Sequence, residues 1–182
     1  MAFIRFKIGD TAPNFHELPC VDGNKYSMED FKDKRILVII FMCNHCPYVQ
    51  AYQDRIINLQ KIYSPKGVQI IGINSNDTSN YPEDDFEHMI KISRDKGYNF
   101  PYLRDASQRV AAAYGAKYTP EVFVLDMSRK LRYHGRIDDN WKSAEEVESP
   151  DLRLALDAIL NNQEVPIPET RPVGCTIKWS TN

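Results

Sequence analysis

Residues 36–47 read ILVIIFMCNHCP. Seven apolar residues, Ile36 to Met42, run without a turn residue into Cys43-Asn44-His45-Cys46. The run is rich in β-branched types, as in a strand buried on both faces. Behind it, PYVQAYQDRIINLQKIY repeats apolar residues at Val49, Tyr52, Ile56, Leu59 and Tyr63, the period of an amphipathic helix. Two cysteines two residues apart thus fall where a central strand gives way to a helix N-terminus.

That placement favours thiol chemistry. On the first turn of a helix the two sulfurs are expected within disulfide reach. The unpaired N–H groups and partial positive charge of the helix start favour a thiolate. A C-x-x-C pair so placed has one thiol below the free value of about 8.5. His45, when protonated, adds charge stabilisation. The strand–CxxC–helix context is that of a redox pair.

The rest of the composition narrows the field. The chain has 182 residues, 42% hydrophobic and 26% charged, enough for one domain with a real core. A net charge of -2 with no basic block points to neither nucleic acid nor an anionic membrane as partner. MAFIRFKIGD has no long apolar region, so neither a signal peptide nor a membrane span is expected. Four cysteines are too few for a disulfide-built scaffold. The expected location is cytoplasmic.

Residues 1–13 form a lead-in, Phe15–Leu18 a short edge strand, and Asp22-Gly23 a turn. Val68–Ile73 reads as a second buried strand, parallel to the first across the helix. Asn74-Ser75-Asn76-Asp77 at its end reads as a polar loop. Pro82-Glu83-Asp84-Asp85 opens a helix whose buried face carries Phe86, Met89 and Ile90, with Gly97 as its stop. Tyr98–Leu103 contains Pro101 and is expected to be exposed or irregular. A short helix through Ala111–Tyr114, capped by Asp105 or Ser107, ends at Gly115. Strands over 121–126 and 131–137 form an antiparallel pair around 127–130. Ser149-Pro150 starts the last helix, buried through Leu152, Ala155, Leu156 and Ile159. The tail 161–182 is proline-rich, but its Val165, Ile167, Val173, Cys175, Ile177 and Trp179 suggest that it packs on the body.

Three segments together resemble the thioredoxin-like superfamily, and within it the AhpC/TSA or redoxin branch. They are Gly9-Asp10-Thr11-Ala12-Pro13-Asn14-Phe15, as in the family's GxxAPxF; the strand with CNHC; and FPYLRDASQRVAAAYGAKYTPEVFVLD at 100–126, as in FPxLxDxxxxVAxxYGxxxTPxxFxxD. With CNHCPYV and the tail PVGCTIKW, the chain looks most like a subgroup marked by the CNHC motif. The resemblance covers about residues 8–160. It implies one thioredoxin-like α/β domain, a central mixed sheet flanked by helices on both faces, with the tail laid over it.

The resemblance also implies site roles. Cys43 is expected to be the exposed nucleophile and Cys46, one turn in, the resolving thiol. His45 is expected to favour the thiolate. Pro120 matches the cis-proline that faces the active cysteines in this fold, and Thr119 the residue that presents its backbone to a substrate strand. The implied activity is thiol–disulfide exchange, with protein or small-molecule disulfides as substrates and an external thiol reductant or oxidant as partner. The alternatives are a thiol peroxidase acting on peroxides and a non-enzymatic interaction domain. Typical peroxiredoxins carry Thr or Ser three residues before the reactive cysteine; Ile40 has no hydroxyl there, so slow peroxide reduction is expected. Ile36 replaces that motif's proline, and Met42 and Asn44-His45 depart from the WCGPC of thioredoxin. CNHC is nearer the CxHC of oxidising disulfide exchangers.

No cofactor and no metal is expected. Zinc on Cys43, His45 and Cys46 lacks a second spaced pair, with only His16, His88 or His134 to complete it. Pro47 stands where a C-x-x-C-H haem site needs histidine. Cys20 reads as a small core residue. Cys175 has two readings, a third thiol that takes oxidising equivalents off the pair or a buried hydrophobe.

Overall fold

A computed structural model describes residues 6–181. Part of the lead-in expected over 1–13, residues 1–5, lies outside the described residues, as does Asn182. In chain order the strands and helices are β1 (Leu18–Pro19), β2 (Lys25–Tyr26), β3 (Ile36–Phe41), α1 (Pro47–Tyr63), β4 (Val68–Asn74), α2 (Phe86–Lys96), β5 (Tyr102–Arg104), α3 (Arg109–Tyr114), β6 (Tyr118–Thr119), β7 (Glu121–Leu125), β8 (Leu131–Gly135), α4 (Asp151–Leu160) and β9 (Cys175–Thr176).

The central sheet has the order β5-β4-β3-β7-β8. β3 runs parallel to β4 and antiparallel to β7, so it lies mid-sheet with a neighbour on each edge. All six of its residues are buried. Burying one such side chain stabilises by about 1.5–3 kcal/mol, which makes this strand the anchor of the fold. Its alternate residues face two cores. Ile36, Val38 and Ile40 pack with Val49, Tyr52 and Ile56 of α1, Met89 of α2 and Leu152 and Leu156 of α4. Leu37, Ile39 and Phe41 pack with Ala111 and Tyr114 of α3, Phe123 of β7, and Phe15 and Phe31 from the N-terminal region. This is the α/β thioredoxin-like architecture, a mixed sheet with helices on both faces.

Several expectations need correction. Tyr102–Arg104 is a buried strand, not an exposed or irregular stretch: it pairs with β4 beyond Pro101, where no N–H is missing from the ladder. Ile90 is 38% exposed, and Met89 alone on α2 is fully buried, because α2 touches the sheet along a narrow stripe. Pro82–Asp84 forms a separate 3-10 turn, and α2 starts after Asp85, whose carboxylate accepts the His88 N–H at 2.9 Å. The edge strand expected over Phe15–Leu18 forms only at Leu18–Pro19, as β1, paired with β2 across the Asp22-Gly23 turn, because Glu17 turns the chain with a positive φ. In the tail, Ile177 is buried and Trp179 partly buried, whereas Ile167 and Val173 stand half exposed at 52% and 46%.

Candidate active site

β3 ends at Phe41 and α1 starts at Pro47, so Cys43 to Cys46 form the loop between them. This corrects the expectation of two cysteines on the first helical turn. Proline is favoured at the first helical position, where its missing N–H costs nothing, and it sets the helix start one residue after the pair. Cys46 is therefore the N-cap, with φ -70° and ψ 122°, and Cys43 precedes it. Neither is exposed: Cys43 is 1% and Cys46 0% accessible.

The covering segments are β6 and β9. The Thr119–Pro120 peptide is cis. The Thr119 hydroxyl lies 3.7 Å from Cys43 Sγ, and its carbonyl oxygen 3.3 Å from Cys46 Sγ. β9 pairs antiparallel with β6, with Cys175 directly opposite Thr119. This register brings Cys175 Sγ to 2.8 Å from Cys46 Sγ, across 129 residues of sequence. Three thiols thus meet at one point, Cys46 in the middle and the half-buried Cys175 outermost.

The hydrogen bonds favour a charge on the central sulfur. A hydrogen bond from the Cys43 thiol does most to lower Cys46, to about 4, with further bonds from Cys175 and from the Val49 N–H in the first turn of α1; burial opposes them. The nearby Thr119 carbonyl favours the thiol, but one acceptor stands against several donors. Cys43 moves the other way. Its thiol is held protonated by that bond to Cys46, by burial and by the negative charge of Asp84. Cys175 is pushed up to about 12 by burial and by its own bond to Cys46. These directions run against the order expected from sequence, Cys43 more acidic than Cys46, because Cys46 receives the hydrogen bond of Cys43 while burial and Asp84 disfavour a charge on Cys43. Thiolate absorbance should accordingly persist as pH falls from neutrality and disappear only near pH 4; Cys46→Ser should abolish this acidic transition in an ultraviolet titration, while Cys175→Ala, which removes a donor, should move it upward.

Asp84, fully buried, supports the loop from beneath. Its Oδ1 accepts the N–H of Asn44 at 2.8 Å and of His45 at 3.2 Å, and its Oδ2 accepts Asn76 Nδ2 at 2.9 Å. His45 Nδ1 lies 2.5 Å from the same Oδ2. The His45 ring stacks on Tyr81 with centroids 5.9 Å apart. Asn44 is held by Tyr102 Oη at 2.8 Å. Cys43, His45 and Asp84 offer donor atoms within 4.8 Å of one another. The Asp84 oxygens already accept the N–H groups of Asn44, His45 and Asn76, and the His45 ring stands in close contact with the same carboxylate beside a thiol. His88 and His134, considered for zinc, pair instead with Asp85 and Glu121, each at 2.7 Å, and His16 lies 3.3 Å from Asn14 Nδ2.

A family model described as Redoxin matches residues 7–152. The chain belongs to the Redoxin family. Its activity is accordingly thiol-based redox chemistry. A crystal structure described as an uncharacterized conserved protein from Geobacillus kaustophilus is 42% identical, covers 98% of this chain and 95% of its own, and superposes with a TM-score of 0.91. The hypothetical protein SMc02350 from Sinorhizobium meliloti 1021 is 38% identical, covers 97% of both chains, and has a TM-score of 0.91. The curated relative "Putative peroxiredoxin MT2597" of Mycobacterium tuberculosis (strain CDC 1551 / Oshkosh) is 24% identical over 138 residues, 76% of this chain and 82% of its own. Among the described residues, no helix of this Redoxin-family chain is long and apolar enough to cross a membrane.

All six residues singled out from the sequence, Cys43, His45, Cys46, Thr119, Pro120 and Cys175, belong to one continuous site in this redoxin. Three others were missed. Asp84 sits in an acidic run that reads as helix-cap chemistry, and nothing in the run separates it from Glu83 or Asp85. Asn76 was read as part of a polar loop, yet it holds both Asp84 and the backbone N–H of Lys178 in the tail, the latter at 2.9 Å. Glu121, 2% exposed, accepts the N–H of Lys117 at 2.6 Å and of Tyr118 at 2.9 Å and so shapes β6. A charged residue opening an apolar strand was the one available signal for it.

Proposed function

We propose that this protein, in a CNHC-bearing subgroup of the redoxins, is a thiol peroxidase that reduces a small hydroperoxide and is recycled by thiol–disulfide exchange in the cytoplasm. The observation that carries the reading is the occupied edge of β6. Extended protein substrates of this fold would pair there, beside Pro120, but the chain's own Cys175–Thr176 already does so. A small oxidant needs only a local displacement of Cys175 to reach the Cys46 thiolate. The peroxiredoxin named among the relatives supports the same direction.

The chemistry then runs as follows. The Cys46 thiolate attacks the terminal peroxide oxygen; the O–O bond breaks, Cys46 becomes a sulfenic acid, and the leaving alkoxide takes the proton of Cys43. The raised pKa of Cys43 keeps that proton in place until it is needed. Cys43, now a thiolate, attacks the Cys46 sulfur; the S–S bond forms, the S–O bond breaks, and His45 supplies a proton to the departing hydroxide. One hydroperoxide, the Cys46 thiolate, the Cys43 thiol and one proton delivered through His45 give an alcohol, water and one disulfide. The Thr119 hydroxyl, beside Cys43, is the donor available to orient the peroxide in place of the one absent at Ile40.

Stopped-flow kinetics of reduced protein test this. Hydrogen peroxide and a small disulfide such as hydroxyethyl disulfide should both react, the peroxide more slowly than with peroxiredoxins carrying the threonine. A scrambled protein disulfide should react far more slowly than either. A protein disulfide reacting faster than peroxide would overturn the reading and put protein thiol–disulfide exchange first.

A further inference from the structure

We infer that the C-terminal strand β9 carries an internal exchange partner: Cys175 displaces Cys43 from the Cys43–Cys46 disulfide, and the resulting Cys46–Cys175 bond offers its outer sulfur to an external dithiol that reduces it. The inference rests on the thiol-redox reading above and assigns the third sulfur its place in it.

The tail is built for close approach. Gly174 stands against Thr119 so tightly that a Cβ there would lie 2.1 Å from the Thr119 carbonyl oxygen and 2.7 Å from its carbonyl carbon. Only glycine lets the strand come down far enough to pair Cys175 with Thr119 and set the two sulfurs 2.8 Å apart. Packing alone does not require this. Cys175 is only partly buried, and its neighbour Val173 is 46% exposed.

The tail is also fixed on both sides of this point. Downstream, Ile177 is buried and its N–H donates to the Lys117 carbonyl at 2.9 Å, while the Lys178 carbonyl accepts the Asp77 N–H at 2.7 Å and Gln108 Nε2 at 2.9 Å. Upstream, the Pro168 carbonyl accepts the His134 N–H at 2.9 Å, and the Thr170 N–H donates to the His134 carbonyl at 3.0 Å. Residues 171–174 between the anchors are exposed or half-buried. The sulfur of Cys175 can therefore lift outward while the tail stays attached.

The transfer balances. Cys175 loses its proton and attacks the Cys46 sulfur of a Cys43–Cys46 disulfide. The Cys46–Cys175 bond forms, the Cys43–Cys46 bond breaks, and Cys43 leaves as a thiolate that takes up the proton. An external dithiol then attacks the Cys175 sulfur, is itself oxidised to a disulfide, and returns Cys46 and Cys175 to thiols. The exposure order, Cys43 and Cys46 buried and Cys175 outermost, is the order such a relay needs.

Diamide oxidation tests this without peroxide, so its failure is distinguishable from failure of the peroxidase reading. Oxidised wild-type protein should yield proteolytic fragments joining Cys46 to Cys175. Gly174→Ala, which keeps all the thiols but pushes β9 off Thr119, should form Cys43–Cys46 and lose the link to Cys175. Re-reduction by dithiothreitol should be slowed about tenfold in oxidised Cys175→Ser and Gly174→Ala, each first checked for an unchanged melting temperature or compared at equal folded fraction. A wild-type protein that forms only Cys43–Cys46, or a Cys175→Ser variant re-reduced at the wild-type rate, would overturn the inference.

Discussion

Cys46→Ser is expected to lower peroxide turnover by roughly a thousandfold or more, the scale seen when an activated nucleophile is removed. Cys46 carries the one thiol that the site lowers, to about 4, which favours a thiolate at neutral pH without further activation. A serine hydroxyl at the same N-cap would stay neutral. The remaining Cys43 would be left with burial and the Asp84 charge, both of which oppose its ionisation. Cys43→Ser should behave differently. It keeps a hydroxyl donor beside Cys46 but removes the sulfur that would form the disulfide and weakens the proton source, yet leaves the N-cap thiolate able to attack once. In Cys43→Ser combined with Cys175→Ser, no thiol partner remains beside Cys46, and its sulfenic acid should accumulate and be captured by dimedone. Mass spectrometry of the adduct decides the order of the two cysteines. An adduct on Cys43 in Cys46→Ser, with none on Cys46 in the converse variant, would restore the order expected from sequence.

Asp84→Ala should be the most damaging substitution away from the sulfurs. It would orphan the N–H groups of Asn44 and His45, Asn76 Nδ2 and the ring nitrogen of His45, all grouped around one buried carboxylate. Leaving buried donors unpaired costs about 1–3 kcal/mol each. Since these overlap, a total near 3 kcal/mol is expected, a fall in melting temperature of about 6–12 °C for a domain of this size. Asp84→Asn should cost less, because one acceptor oxygen survives. Both variants should lower the pKa of Cys43, since each removes a negative charge that now raises it. Calorimetry and a thiol titration check the two effects separately. An unchanged melting temperature with an unchanged Cys43 titration would refute the role given to Asp84.

Much of this fold is legible in local pattern. The run Ile36–Phe41 could only be a strand covered on both faces, and it is. The 3.6-residue period of Val49, Tyr52 and Ile56 marked α1, and glycines at 97 and 115 marked helix ends where φ is positive. The meeting of CNHC with Thr119-Pro120 was legible only through family resemblance, because 73 residues separate Cys46 from Thr119 and no local periodicity spans that distance. β5 was misjudged because a proline next to a strand looks like one within it.

What the sequence determined by itself was the set of candidate reactive groups: two cysteines at a strand–helix junction, a histidine between them, and a third cysteine in an apolar tail. Residue type and spacing along one element are enough for that. Which sulfur is favoured to carry the charge depends on the three-dimensional structure. It depends on where α1 begins, on the thiols on either side of Cys46, and on a carboxylate from another loop that opposes ionisation of Cys43. The position of Cys175 was likewise a tertiary matter, settled by the register of β6 and β9 and by a glycine with no room for a side chain. The physical reason is common to both. Electrostatic and strand-pairing energies depend on distance in space, and neither is written in the spacing of residues along the chain.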